Sequence, residues 1–202
     1  MNFFEKSLKN YYSEQDIIKL KKFKVGIAGA GGLGSNCAFN LVRSGITKLV
    51  ICDFDIVEEK NLNRQFYFFD QIGKSKVEML KMNLLKINPD IEITAVEIKL
   101  EENNIEKIFQ DCQIIAEAVD KAELKKMIVE KFILTNKFIV SASGLAGIGK
   151  SDEISIHKIK PNFYLIGDLV SQVCETLPPF SPKVNIAAAK QADTILEFIL
   201  SK

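Results

Sequence analysis

A group of glycines in the first part of this 202-residue chain has the spacing needed to hold a nucleotide. Residues 29–34 read Gly-Ala-Gly-Gly-Leu-Gly, so that Gly29, Gly31 and Gly34 fit the pattern Gly-x-Gly-x-x-Gly, with Gly32 among them. Glycines permit a tight turn and a close approach of backbone N–H groups to phosphate at a helix N-terminus. The pattern is common, and alone it predicts a nucleotide site without naming the nucleotide.

An acidic residue follows at the distance expected of a ribose ligand. Asp53 lies about 20 residues beyond Gly34 and ends an apolar stretch, which is the place of the ribose-binding acid in such sites. A strand-end carboxylate exposed to water is the plain alternative. Asp55 is a second candidate for nucleotide binding, although an aspartate at that position can also serve only to organise the turn.

Arg64 and Asn61 are candidates for binding phosphate. The chain has 27 basic residues, of which only Arg43 and Arg64 are arginine. Arg43 lies in the last turn of a predicted helix, where a cation favours the helix dipole, and no such position accounts for Arg64. A guanidinium grips two phosphate oxygens at once, and Asn61 can donate its amide to the same group. The alternatives are a surface ion pair for Arg64 and a helix-start role for Asn61.

A lysine and an aspartate complete the candidate site. Lys76 precedes a predicted helix, where a cation needs an anion to meet, so we predict a phosphate contact, with Lys74 as second choice and a solvated lysine as the alternative. Asp120 follows an apolar strand, and ligands bind at the carboxyl ends of strands in open α/β sheets. It can hold Mg²⁺ on phosphates, because magnesium prefers one or two carboxylates plus phosphate oxygens, or it can cap the next helix.

The elements that position these residues alternate regularly. A buried strand at 24–28 enters the glycine turn, a helix opens there, and an apolar strand at 47–53 ends on Asp53, which is a βαβ unit. Helices and further strands follow in the same order. The predicted strands lie at 91–98, 112–119 and 138–141. This order predicts a Rossmann-like, doubly wound α/β fold with a mostly parallel sheet.

The pattern changes towards the C-terminus. Two strands at 153–159 and 163–167, joined at Pro161-Asn162, predict an antiparallel addition, and a closing helix runs to about Leu200. We expect a single domain over 1–202. Its predicted parts are an N-terminal helical segment (1–22), a nucleotide-binding core (23–145), and the antiparallel strands with the closing helix (146–202).

The composition argues against several classes of protein. The net charge of +1 speaks against nucleic acid or an anionic membrane as the main partner. The four cysteines form no Cys-x-x-Cys pair, so neither zinc nor a disulfide framework is expected. Cys174, in a predicted loop, could be a reactive thiol, but we interpret it as a non-catalytic one, since no histidine lies near it in the sequence. The N-terminus has no signal pattern and no apolar run is long enough to span a bilayer, which favours a cytoplasmic protein.

Taken together, these motifs resemble the adenylation domain of the family that contains ThiF, MoeB and the ubiquitin-activating enzymes. The likeness covers nearly the whole chain and is nearest to the short ThiF-like proteins. It rests on the glycine turn, on Lys76 and Asp120, on the stretches 141–147 and 187–192, and on one long motif. That motif reads Asp53-x-Asp55-x-Val57-x-x-x-Asn61-Leu62-x-Arg64-Gln65.

The resemblance implies a function in thiamine biosynthesis. ATP and the C-terminal Gly-Gly tail of a ubiquitin-like sulfur carrier, similar to ThiS, would form an acyl-adenylate and pyrophosphate. Asp53 would then hold the ribose, and Asn61, Arg64 and Lys76 would contact the phosphates, with Arg64 and Lys76 as catalytic groups. Asp55 and Gln65 would also belong to the nucleotide-binding residues. Asp120 would be catalytic through Mg²⁺. A homodimer and a sulfur-donor enzyme as a further partner are implied in the same way.

Two departures from the family and three alternatives remain. Many relatives have paired zinc-binding cysteines and an N-terminal arginine that acts on the partner subunit, and residues 1–42 here contain no arginine.

An NAD(P)-dependent oxidoreductase would use the glycines and Asp53 but would leave Arg64 unexplained. A non-catalytic ATP-binding scaffold for a carrier is the second alternative. The third is adenylylation of another acceptor, either a molybdopterin carrier or a modified tRNA base.

Overall fold

The structure, a computed structural model, describes residues 2–202 and contains one seven-stranded sheet with helices on both faces. Its strands are β1 (Val25–Ala28), β2 (Lys48–Cys52), β3 (Glu92–Val96), β4 (Ile114–Glu117), β5 (Phe138–Ala142), β6 (Ser155–Lys160) and β7 (Phe163–Gly167). Its helices are α1 (Phe3–Leu8), α2 (Glu14–Lys22), α3 (Gly32–Arg43), α4 (Lys76–Leu85), α5 (Ile105–Ile108), α6 (Ala122–Phe132) and α7 (Ser181–Leu200).

The strand order is β3-β2-β1-β4-β5-β7-β6, and all neighbours are parallel except β6 and β7. From β1 the chain builds the sheet outwards through β2 and β3, and then returns to the other side of β1 with β4. The direction of winding therefore reverses between β1 and β4. In open α/β sheets the crevice at the carboxyl ends of two such strands is the place where ligands bind.

The alternating side chains of the buried strands build a core on each face of the sheet. On one face, residues such as Ile114 and Val140 pack among α3, α4 and α7. On the other face, Ile115 and Ile139 pack among α5 and α6, together with Phe109 and Phe132. With both faces covered, functional groups on the sheet can reach solvent only at its edges and at the strand ends.

The C-terminal part is anchored to the preceding part of the sheet and its helices. Helix α7 packs along α3, and Phe198 near its end stacks on Phe138 of β5 with the ring centroids 4.0 Å apart. Lys19 of α2 donates to the carbonyl oxygen of Leu200, which closes the last turn of α7. Because α7 spans the whole domain, its first turn is brought to the carboxyl ends of the strands.

The fold class predicted from the sequence is confirmed, including the antiparallel pair and the closing helix. The predicted helices and strands differ from the observed ones mainly by a few residues at their ends, where backbone geometry decides the boundary. Helix α3, for example, begins at Gly32 rather than at Gly34, and β4 ends at Glu117, three residues before Asp120.

Candidate functional site

A cavity of about 820 Å³ opens at the carboxyl ends of β1, β2 and β4, where the direction of winding reverses. One wall is the glycine turn that leads into α3, and the opposite wall is the segment 142–145 that follows β5. Cys52, Ile98, Leu100, Val119 and Leu124 give one part of the lining an apolar character. A mostly apolar pocket with a few convergent charged groups is the usual form of a small-molecule site.

The glycine turn is shaped by two close backbone contacts. Gly29 has a φ of 98°, and a Cβ atom there would lie 2.8 Å from the carbonyl oxygen of Ala118 in the chain that leaves β4. A Cβ atom on Gly34 would lie 1.8 Å from the carbonyl oxygen of Gly29. These two glycines therefore let the turn fold on itself and pass close to β4. Gly29, Gly31 and Gly32 line the cavity.

Asp53 supports the glycine turn from the end of β2. Its Oδ2 accepts the Ala30 N–H at 2.6 Å, and its Oδ1 accepts the Asp55 N–H at 2.9 Å. The Tyr67 hydroxyl donates to the Ala30 carbonyl oxygen at 2.7 Å, so Ala30 is held at both its N–H and its C=O. Each Asp53 oxygen keeps a second lone pair, which leaves the carboxylate able to accept a ribose hydroxyl.

Lys76 and Asp55 form an ion pair in the cavity wall. Lys76 begins α4 and is only 5% exposed, and its Nζ lies 2.8 Å from Asp55 Oδ2. The Asp55 carboxylate is about half exposed, so the buried cation borders an accessible carboxylate. Lysine has three N–H donors, and Asp55 occupies one of them, which leaves capacity for a second anion.

Arg64 lines the cavity with its aliphatic stem against Gly32. Its Nη1 donates to the Lys60 carbonyl oxygen at 3.1 Å and to Asn63 Oδ1 at 2.7 Å, which orients the guanidinium. Burial lowers the pKa of Arg64, and the nearby negative charge of Asp120 opposes that shift. Because an arginine pKa starts far above neutrality, the guanidinium stays charged.

Gln65 also lines the cavity, and its buried Oε1 accepts no hydrogen bond from residues 2–202. A buried acceptor without a partner is costly, so a donor from a bound molecule would stabilise it. Asn61 and Lys74 do not line the cavity. Asn61 Oδ1 accepts the Glu58 N–H at 2.9 Å across the 3₁₀ helix Glu59–Asn61, and Lys74 is exposed.

Asp120 lies on the exposed rim of the cavity, close enough to Arg64 to act on its charge. The N-cap of α6 is Lys121, so Asp120 does not have the capping role that the sequence also allowed. Within residues 2–202 no three His, Cys, Asp or Glu side chains converge as metal ligands. A single carboxylate is compatible with Mg²⁺ that arrives with phosphate oxygens, since those supply most of the remaining ligands.

Two buried ion pairs near the cavity were not predicted from the sequence. Glu117, the last residue of β4, pairs with Lys125 of α6. Asp168, just after β7, pairs with Lys183 in the first turn of α7 at 3.7 Å. The sequence contained a sign of the first pair. Glu117 interrupts the apolar stretch 112–119, and an acid within a buried strand requires a partner.

The four cysteines, all within the described part of the chain, differ in exposure and in thiol pKa. Burial raises the pKa of the Cys37 and Cys52 thiols to about 12 and that of Cys112 to about 11. Cys174 alone among them is exposed, and hydrogen bonding to Thr176 lowers its pKa. It follows Gln172 and Val173, which line the cavity, but is not itself in the lining.

We expect one fast-reacting thiol in each native chain, because the thiolate is the reactive form. At pH 8 a thiol-reactive chromophore should label one cysteine rapidly, and four in denaturant. Cys174→Ser should abolish the fast phase, and Cys112→Ser should leave it unchanged. A fast phase that survives Cys174→Ser would contradict this assignment.

The fold and the cavity together define a doubly wound α/β protein with a candidate ligand site at the reversal of strand order. The chain belongs to the ThiF family, whose model matches residues 5–200. The recognition of this family from the sequence motifs is thereby confirmed. Within residues 2–202 no helix is both long and apolar enough to cross a membrane.

Curated relatives of the chain are larger than it is. It is 34% identical over 145 residues to the adenylyltransferase and sulfurtransferase UBA4 of Candida glabrata, covering 71% of this chain and 34% of that protein. To the adenylyltransferase and sulfurtransferase MOCS3 of Aedes aegypti it is 34% identical over 132 residues, covering 65% of this chain and 30% of that protein. The chain thus spans about a third of the length of these relatives.

Solved structures match over almost the entire chain. The tRNA N6-threonylcarbamoyladenosine dehydratase TcdA of E. coli, in complex with AMP, superimposes with a TM-score of 0.88 at 18% identity. That match covers 97% of this chain and 93% of TcdA. E. coli MccB with ATP superimposes with a TM-score of 0.74 at 24% identity, covering 92% of this chain and 59% of MccB. At these identities the likeness concerns the fold.

Proposed function

We propose that this protein uses ATP to adenylylate the C-terminal glycine carboxylate of a ubiquitin-like carrier protein, with release of pyrophosphate. One observation carries the proposal. A single cavity brings the glycine turn and Asp53 together with the cations Arg64 and Lys76 and with Asp120. Membership of the ThiF family and the adenylyltransferase relatives support the same class of reaction.

The proposed reaction needs positioning and charge neutralisation more than it needs a base. A carboxylate oxygen of the acceptor attacks the α-phosphorus, a new O–P bond forms, and the bond from that phosphorus to the pyrophosphate oxygen breaks. The attacking group is already an anion, so no proton has to be removed. The barrier comes from bringing two anions together and from charge that builds on the leaving oxygens.

Several cavity residues have a proposed role in this reaction. Asp53 accepts the ribose hydroxyls, and the N–H groups at the start of α3 meet the phosphates. Arg64 and Lys76 neutralise the phosphate charge, and Gln65 accepts a hydrogen bond with its unpaired oxygen. Two further contacts, one by Asn61 and one through a metal ion at Asp120, are not defined by the protein geometry alone.

The first is Asn61, which could bind phosphate only through its amide nitrogen, since its oxygen is already engaged by the Glu58 N–H. The second is the metal ion. Asp120 would hold Mg²⁺ together with phosphate oxygens, and the ion would supply positive charge to the departing pyrophosphate.

We infer further that the acceptor is a ThiS-like sulfur carrier ending in Gly-Gly, which places the protein in thiamine biosynthesis. The support is the likeness of residues 141–147 and 187–192 to the short ThiF-like proteins. A sulfur-donor enzyme, a homodimer and a cytoplasmic location belong to the same proposal. Absence of a zinc site is expected too, because the chain has no Cys-x-x-Cys pair.

The first experiment is magnesium-dependent exchange of labelled pyrophosphate into ATP, with separate carriers of the thiamine and molybdopterin type. Exchange that requires a carrier with an intact Gly-Gly end would support carboxylate adenylylation and identify the acceptor. Binding of ATP without exchange on any carrier would favour the scaffold alternative. Exchange that requires a carboxylate-bearing tRNA would favour an RNA acceptor, and tight NADH binding without ATP binding would favour an oxidoreductase.

Asp120→Asn tests the metal role with little change in side-chain volume. We expect at least a tenfold loss of exchange and a shift of the Mg²⁺ dependence to higher concentration, because a neutral amide is a weaker ligand for a hard cation. Asp193→Asn, at an exposed position of α7 away from the cavity, is the matched control. An unchanged Mg²⁺ dependence in Asp120→Asn would contradict the proposed role.

A further inference from the structure

A buried network lies directly beneath the cavity, between the ends of β4 and β5 and the first turns of α6. Glu117 is 0% exposed, and its two carboxylate oxygens lie 3.0 and 3.1 Å from the Nζ of Lys125. The Lys125 ammonium also donates to the carbonyl oxygen of Ala142 at 2.9 Å. Lys125 lines the cavity with only part of its side chain, which is 24% exposed.

The hydrogen-bonding capacity of both charged groups is engaged within the protein. Glu117 Oε1 also accepts the Val119 N–H at 2.8 Å, and Oε2 accepts the Ser141 hydroxyl. The three N–H groups of Lys125 can be assigned to the two oxygens of Glu117 and to Ala142. With its donors engaged in this way, Lys125 can act on a bound molecule mainly through the structure that it holds.

The network joins two chain segments that line the cavity and follow the neighbouring strands β4 and β5. Glu117 lies three residues before Asp120, and its carboxylate holds the N–H of Val119 within the intervening turn. Ala142 is followed directly by the wall segment 143–145. From the other side, Gln191 of α7 donates to the Glu117 carbonyl oxygen at 2.9 Å. The pair therefore links the turn before Asp120 to the residue that begins the wall segment, in addition to the direct pairing of β4 with β5.

A buried ion pair of this kind is not explained by stability alone. Transfer of two charges from water into the interior carries a desolvation cost that the mutual attraction only roughly offsets, so apolar residues of similar volume often serve equally well. Geometry gives a more direct reason for charged rather than apolar residues at positions 117 and 125. An ion pair with directed hydrogen bonds holds three elements in one arrangement, whereas apolar packing permits several.

We propose that Glu117 and Lys125 are positioning residues of the nucleotide site, which act by holding the Asp120 turn and the 143–145 segment in register. The expected effect on catalysis rests on the proposed function. The expected effect on ATP affinity does not depend on adenylylation of a carrier, because ATP affinity is measured without one.

The test compares Glu117→Gln, Lys125→Met and the double variant E117Q/K125M. We expect each single variant to raise the Kd for ATP with Mg²⁺ at least fivefold and to lower the kcat of exchange at least tenfold. Since the two residues act as one unit, the double variant should be no worse than the poorer single variant. It carries no unpaired buried charge, so it keeps the test decisive if a single variant fails to fold. Lys125→Arg, which keeps the charge, should restore part of the loss.

Glu5→Gln is the matched control, because Glu5 is also buried and pairs with Lys21 at 2.9 Å, but in the N-terminal helices away from the cavity. It should lower the thermal midpoint and leave Kd and kcat unchanged. Network variants that behave like Glu5→Gln, with lower midpoints but normal Kd and kcat, would overturn the inference. If the wild type binds ATP but exchanges with no carrier, the proposed function fails, and the Kd values still decide the inference.

Discussion

Arg64→Ala is expected to reduce carrier-dependent ATP–pyrophosphate exchange by roughly 100-fold or more, the range found when one preorganised donor to developing charge is removed. Arg64 lines the cavity, and its guanidinium is held by Lys60 and Asn63 rather than by an acid. Its charge is thus available to an anion. The loss should appear mainly in kcat, because the charge on the leaving oxygens grows only as the reaction proceeds.

Arg43→Ala is the matched control, since it removes the other arginine of the chain. Arg43 lies at the end of α3, where its guanidinium sits 5.0 Å from the centre of the Phe39 ring and outside the cavity. Its variant should exchange at the wild-type rate. Near-normal exchange by Arg64→Ala in a folded protein would remove the phosphate role of Arg64, and with it the main support for adenylylation.

Gly34→Ala is expected to lower the stability of the fold strongly. The added methyl group would lie 1.8 Å from the carbonyl oxygen of Gly29 and 3.1 Å from the Cγ2 of Ile27. The first contact is with backbone, which cannot turn aside as a side chain can, so either the glycine turn or the start of α3 must shift. We expect a loss of about 3 kcal/mol or more in the free energy of unfolding, at the upper end for overpacking. Urea titration followed by circular dichroism measures it.

Gly31→Ala in the same turn is the control for this prediction. Its added methyl group would meet only Gln65 Nε2, at 3.9 Å, so the free energy of unfolding should change little. If phosphate approaches the backbone at Gly31, however, the same substitution should weaken ATP binding measured by calorimetry. The two variants therefore separate a structural glycine from a ligand-facing one. Equal stability of Gly34→Ala and the wild type would show that the turn can relax around the methyl group.

Local sequence patterns were sufficient to predict the order of the helices and strands and to select some of the residues that line the cavity. The glycine turn between two apolar strands, with Asp53 at the end of the second, predicts a βαβ unit because each signal lies within a few residues of the element that it governs. Arg64 was selected because arginine is rare in this chain, and Lys76 because a cation is unusual at the start of a helix. For the same reason the antiparallel pair β6–β7 and the closing helix could be expected.

Tertiary structure decided the contacts between residues far apart in the chain. The pairing of Glu117 with Lys125, and the attachment of both to Ala142, depend on β4 and β5 being neighbours and on the angle at which α6 crosses them. The position of Asn61, whose amide oxygen binds the Glu58 N–H, likewise depended on how the chain turns after β2.

What the sequence determined by itself was therefore the class of fold and the kinds of groups at the strand ends. Which of those groups share one cavity, and which are engaged elsewhere, was decided only by tertiary packing. The physical reason is that hydrophobic periodicity and glycine geometry act locally along the chain. Hydrogen-bond and ion partners are instead set by strand order and helix placement, which emerge only when the whole core is packed.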